Sequence, residues 1–257
     1  MGDQRTNLRN SDMGPRVVAQ DILECSTAQK HKLGTRLQLG DRVFRYCRNA
    51  GVALVPGYLV GTTSTVLTSK TGAGTISGQQ GSTAVVSSCT GATAAVRDQY
   101  ADGYIIITTG SGVGETYKVK GNEPAGSATA FSLTLYDGLA STWSTNSTHQ
   151  IIQSLYFGAI AATTGTQAIG APLVSTSANY YFWAQTWGPA AVYTDVAVGP
   201  GAKNQLIVSA NTAGAVSHMG ALTIGTGVVG TQIVGVPVGG LTLTTSIPQP
   251  VYLMLGM

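Results

Sequence analysis

No stretch of this 257-residue chain longer than two helical turns carries a 3.6-residue apolar period. Short β-branched and aromatic runs recur instead, at spacings of 8–12 residues, with glycine-rich turns between them. "NYYFWAQTWG", "AVYTDVAV", "NQLIVSA", "VSHMGALTIG", "TQIVGVPVG" and "PVYLMLGM" follow one another in this way through the second half. A helix cannot be built from such pieces, so the pattern predicts an all-β fold, a β-sandwich or barrel. Composition points the same way: 34 glycines, and charged residues at only 10%, against roughly 25% in an average soluble protein. A surface of hydroxyls rather than charges does little to prevent association, so other subunits are expected to cover much of it.

Residues 1–32 show little periodicity and read as an extended N-terminal arm. "PRVVAQDILEC" within it could make a short strand or a helical turn. From Leu33 the chain alternates around Gly40-Asp41, with Leu37 and Leu39 before the turn and Val43, Phe44 and Tyr46 after it, which is a hairpin signal. Pro56-Gly57 marks a further turn. A Thr/Ser/Gly/Ala-rich stretch over 61–99 contains runs such as "STAVVSS". "DGYIIITTG" and "GETYKVKGN" then flank Ser111-Gly112-Val113 as a strand pair. Thr116, Lys118 and Lys120 alternate with Tyr117 and Val119, giving one wet and one buried face. "TAFSLTLYDG" adds a strand with Phe131, Leu133 and Leu135 on one side. The expected organisation is an arm (1–32), a β-sandwich or barrel body (33–61 with 153–257) and a small inserted β domain (62–152).

Reactive chemistry finds little support. Gly225, Gly227 and Gly230 have dinucleotide-fingerprint spacing, but the following "TQIVGVPVGG" is a poor helix, and no acidic partner for a ribose comes later. His31, His149 and His218 each lack a neighbouring ligand at metal spacing. Asp98 and Asp102 flank Tyr100 in "RDQYADGY", which reads as a turn before a strand rather than a calcium loop. Asn146-Ser147-Thr148 is a sequon that matters only in a secretory pathway. Cys25, Cys47 and Cys89 form neither a zinc knuckle nor a disulfide framework. Gly2 and Thr6 fit the loose myristoylation pattern, and no apolar run is long enough for a membrane helix. The expectation is therefore no catalytic residue, no cofactor and no metal.

Charge and aromatic residues are unevenly placed. Residues 1–50 carry nine of the fourteen basic residues, and no acidic residue follows Asp195. Arg5, Arg9, Arg16, Lys30 and Lys32 are the candidates for contact with an acidic surface. The aromatic interleaving of a single-strand binder is missing, so sequence-specific nucleic acid is not expected as a partner. In "NYYFWAQTWGP", Tyr181, Trp183 and Gln185 face one way on a strand, and Tyr180, Phe182, Ala184 and Thr186 the other. Tyr181, Trp183 and Trp187 are thus candidates for core or subunit interface. A glycan platform of Tyr181 and Trp183, or of Tyr156, is the sharper alternative.

"HKLGTRLQLGDRVFRYCRNAGVALVPGYLV", "DGYIIITTGSGVGETYKVKGNEPAGSATAFSLTLYDGL" and "YYFWAQTWGPAAVYTDVAVGPGAK" resemble structural proteins of tailed bacteriophages and related environmental phages. The resemblance implies a virion protein, made in a bacterial cytoplasm, that decorates or cements the capsid surface. The implied partner is the major capsid protein, and low charge suits assembly with copies of itself, such as a homotrimer. The major shell protein itself does not fit, because that fold needs a long spine helix. A tail, fibre or adhesin module binding host glycans is the alternative, and a hydrolase is disfavoured for want of a triad or carboxylate pair.

Overall fold

The computed structural model describes residues 20–62, 75–88, 95–126, 130–163, 166–194, 207–209, 212–218, 232–238 and 247–256. Every regular element among these residues is a β-strand. The chain forms two compact units, one of residues 1–64 with 156–257 and one of residues 65–155.

The inserted unit is a closed six-stranded antiparallel barrel. Its strands are β4 (Thr75–Gly78), β5 (Ala84–Ser88), β6 (Tyr104–Thr109), β7 (Thr116–Asn122), β8 (Ala130–Leu135) and β9 (Trp143–Ile152), in the spatial order β4-β5-β8-β7-β6-β9. The two-residue alternation decides which side chains enter it. Ile105 and Ile107 of β6, Val119 of β7, Leu133 and Leu135 of β8 and Ile151 of β9 share one core with Trp143. Gly110, Gly112 and Gly114 take positive φ in the β6–β7 turn, a conformation that costs glycine little. The alternation expected of β7 is present in part: Val119 is buried and Thr116 and Lys120 are exposed, while Tyr117 and Lys118 are both half-buried.

The body is one sheet of ten strands. Its first part comprises β1 (Arg36–Leu39), β2 (Arg42–Asn49), β3 (Val60–Gly61), β10 (Phe157–Ala161), β11 (Ala168–Pro172) and β12 (Tyr181–Tyr193). Pairings β2–β10, β10–β3, β3–β11, β11–β12 and β12–β2 close a circuit of five strands. Cys47, Val60, Ala159, Ile169, Phe182 and Ala184 fill it. The second part adds β13 (Ile207–Ser209), β14 (Val216–His218), β15 (Ile233–Pro237) and β16 (Pro248–Met254) in the order β12-β16-β15-β13-β14. A bridge from Val216 to Thr194 returns this sheet to the end of β12. Val192, Val216, Val234, Val251 and Leu253 make its core.

β12 holds the body together, and it departs from the sequence reading in two ways. "NYYFWAQTWG" and "AVYTDVAV" read as separate strands, yet one strand of 13 residues runs through Gly188-Pro189. Gly188 takes φ +91, and a Cβ there would lie 2.7 Å from the Asp41 carbonyl oxygen. The second departure is a bulge: Gln185 opposes Phe44 and Trp187 opposes Val43, two residues advancing against one. A bulge reverses the alternation beyond it, so Trp187 leaves the face shared by Tyr181 and Trp183. The stretch "QIIQSLYFGAIAA" holds the end of β9 and all of β10, which belong to different units.

Candidate interaction surfaces

Residues 20–32, expected as the inner part of an arm, are built into the body. Gln20 is the anchor. Its carbonyl accepts a 2.9 Å hydrogen bond from Trp183 Nε1–H, and its Oε1 accepts one of 2.7 Å from the Tyr46 hydroxyl. Its amide donates to the carbonyls of Glu24 and Tyr181, both at 2.9 Å. Ser26 and Tyr181 exchange backbone hydrogen bonds of 3.0 and 2.7 Å. His31 closes the box, with its ring 5.0 Å from both Tyr46 and Trp183. Tyr46 also stacks on Tyr181 at 5.9 Å. Burial pushes the Tyr46 hydroxyl up to about 12 and lowers the His31 pKa, so both rings sit neutral at pH 7.

This arrangement locates the aromatic candidates. Trp183 is fully buried in the core and presents no ring face to solvent for the alternative of a glycan platform. Tyr181 is half-buried against Tyr46, and Tyr156 is half-buried with its ring edge under Gly34. Trp187 is half-buried and stands apart from these, on the outer face of β12 beside Tyr252 of β16, ring centroids 5.8 Å apart.

The basic candidates fall into two groups. Arg5, Arg9 and Arg16 lie outside the described residues. Lys30 and Lys32 are exposed on the docked segment, next to the β1–β2 hairpin. That hairpin continues the positive charge in a way the sequence reading missed: Arg36 and Arg45 are directly opposed across β1 and β2. Arg36 donates to Gln38 Oε1 at 2.9 Å and Arg45 to the Gly34 carbonyl at 3.1 Å. Arg48 lies between the rings of Phe157 and Tyr181, at 4.8 and 5.8 Å from their centroids. Such packing holds the guanidinium stem while leaving its charge in place.

The rest of the body is the opposite. From Tyr156 to Met257 the only Asp, Glu, Lys or Arg residues are Asp195 and Lys203, both outside the described residues. The signal was present in the sequence as a run without charge. Only the strand register turns it into a surface.

The barrel contains two polar clusters whose members hydrogen-bond one another. The Glu115 carboxylate accepts hydrogen bonds from Tyr117 (2.9 Å), Ser141 (2.6 Å) and Trp143 Nε1–H (2.9 Å). Burial works to raise its pKa, but the three donors outweigh that and hold it below the usual carboxylate range. A general acid needs the reverse shift. Here the carboxylate pins the β6–β7 turn to the start of β9. Ser87 Oγ and His149 Nε2 share a 2.7 Å hydrogen bond between fully buried side chains, where no substrate can approach them. Asp98 and Asp102 occupy left-handed turn positions at φ 57 and 60, and the Tyr136 hydroxyl donates to Asp102 Oδ1 at 2.9 Å. Among the described residues no group of three or more His, Cys, Asp and Glu is placed to hold a metal. The thiols of Cys25 and Cys47 are free, and burial pushes that of Cys47 up. Cys89 and the glycines at 225, 227 and 230 lie outside the described residues.

These groups set a pH dependence. Burial pushes His149 down to about 4, whereas an unfolded histidine binds its proton below about 6.5. Between those values the unfolded chain holds more protons, so stability is complete above the upper one and lost as pH falls toward the lower. His31 acts in the same direction in the body. The depressed Glu115 contributes stability above the unfolded carboxylate pKa and loses it as pH falls through its lower folded value. Thermal melts should therefore shift down by several degrees on acidification from neutral to about pH 4. His149→Asn should flatten that limb; an unchanged limb would contradict the assignment.

Comparison with protein-family models, curated proteins and solved structures finds no match for this chain.

Proposed function

We propose that the chain is a non-enzymatic virion protein that decorates or cements a tailed-phage capsid. The observation that carries this reading is the division of charge in the body. Lys30, Lys32, Arg36, Arg42, Arg45 and Arg48 outnumber Asp21, Glu24 and Asp41 over the docked segment and the β1–β2 hairpin, with Lys30, Lys32 and Arg36 exposed. The remaining strands of the body have no charged side chain among the described residues. A protein that binds an acidic shell through one side and neighbours through others needs this partition. Segment 1–19 carries Arg5, Arg9 and Arg16 and would extend the basic side toward the shell. The Ser87–His149 pair and the Glu115 carboxylate of the barrel are engaged within the barrel itself, which supports a role made of contacts rather than turnover.

Antibody labelling of purified particles tests the placement. Label distributed over the shell is expected. Label confined to a tail or its fibres, or no label on particles, would overturn the reading.

A further inference from the structure

We infer that the outer face of β12, β16 and β15 is a contact surface for a second copy of this chain. The inference deepens the reading above by naming this partner, and it stands on features of the body alone. The strand register places Trp187 opposite Met254, and Pro189 opposite Tyr252. Val236 lies opposite Tyr252 on the next strand, and Val238 follows it. Tyr193 ends the row, its ring 5.2 Å from that of Tyr58. The reverse face of the same strands carries Val192, Val251 and Leu253, all fully buried. The sheet has therefore already spent one face on its own core, and the outer one is a second apolar face that the Gly57-Tyr58 turn meets at its Tyr193 end. Met254 is 46% exposed and Val238 38%.

Its composition selects the occupant. Interfaces are enriched in Trp, Tyr and Met and depleted of Lys, Glu and Asp, most strongly where like chains meet. A charged partner would leave its charges desolvated and unpaired against this face. The matching surface is one equally free of charge, and the chain carries one on every copy. A contact that repeats by symmetry can then close into a dimer or a ring.

The test uses the full chain without particles, so its failure leaves the capsid reading standing, and failure of capsid labelling leaves this one standing. Sedimentation equilibrium should give a mass that is a multiple of 26.3 kDa. Ala191→Lys and Met254→Lys place a charge at exposed positions of the face, and should weaken association about tenfold or more. Val52→Lys, at another exposed site, should leave it unchanged. Hydroxyl-radical footprinting of the unmodified chain needs no variant: oxidation of Trp187 and Met254 should rise when dilution dissociates the assembly, while that of Tyr104 stays constant. A monomer at all concentrations, association unaffected by both lysines, or equal oxidation before and after dilution would each overturn the inference.

Discussion

Trp183→Ala is expected to unfold the body of the full chain, or to lower its stability by about 3–5 kcal/mol. The indole is fully buried among Leu33, Leu37, Phe44 and Tyr46. Its Nε1–H also satisfies the Gln20 carbonyl, so truncation leaves both a cavity and a stranded acceptor. The expected loss is a large part of the total stability of an ordinary domain, about 5–15 kcal/mol. Denaturant titration followed by circular dichroism reads it directly. The result also separates two functions, because a glycan platform would lose binding on this substitution and keep its melt. An unchanged denaturation midpoint would contradict the packing described here.

Gly103→Ala should have a comparable effect on the barrel. A Cβ at this position would lie 2.2 Å from the Ile152 carbonyl oxygen, 3.0 Å from that of Tyr100 and 3.1 Å from the Ser154 amide nitrogen. All three are backbone atoms, so no side chain can swing aside. Overpacking costs about 1–3 kcal/mol and occasionally more, and against backbone atoms as near as 2.2 Å, where β6 meets the end of β9, the cost falls at the upper end or beyond. By contrast Gly114, at φ +87 with nothing within 4 Å, should lose only the left-handed backbone preference on Gly114→Ala, about 1–2 kcal/mol. Hydrogen exchange should show protection lost in β6 and β9 of the Gly103 variant and kept in β12. Equal effects of the two substitutions would contradict the close approach.

The sequence reading went furthest where the signal is local. The Gly40-Asp41 hairpin, the β6–β7–β8 run and the existence of an inserted β unit follow from two-residue alternation and turn glycines. Barrel closure did not, because β5 pairs β8 and β4 pairs β9, and strands that distant in sequence leave no mark of their register. The bulge at 185–187 was equally silent. One extra residue moved Trp187 from the Trp183 face to the outer face, which simple alternation cannot anticipate. The docking of residues 20–32 was hidden because it depends on single polar anchors, Gln20 above all, rather than on a periodic apolar face. Gly103 could not be told from its 33 fellow glycines in the total of 34, since its constraint is a neighbour nearly fifty residues away.

The docked segment also fixes where an arm can be removed. Deleting residues 1–32 would take away Gln20 and His31 and expose Trp183, so loss of binding would report only unfolding. Deletion of 1–19 spares every contact described above. The most direct measurement is co-sedimentation of purified chain with capsids stripped of it. The full chain should bind to saturation, more weakly as salt rises. A folded chain lacking 1–19 and carrying Lys30→Glu and Lys32→Glu should fail to bind. Saturating binding by that altered chain, or none by the full one, would contradict attachment through the basic side.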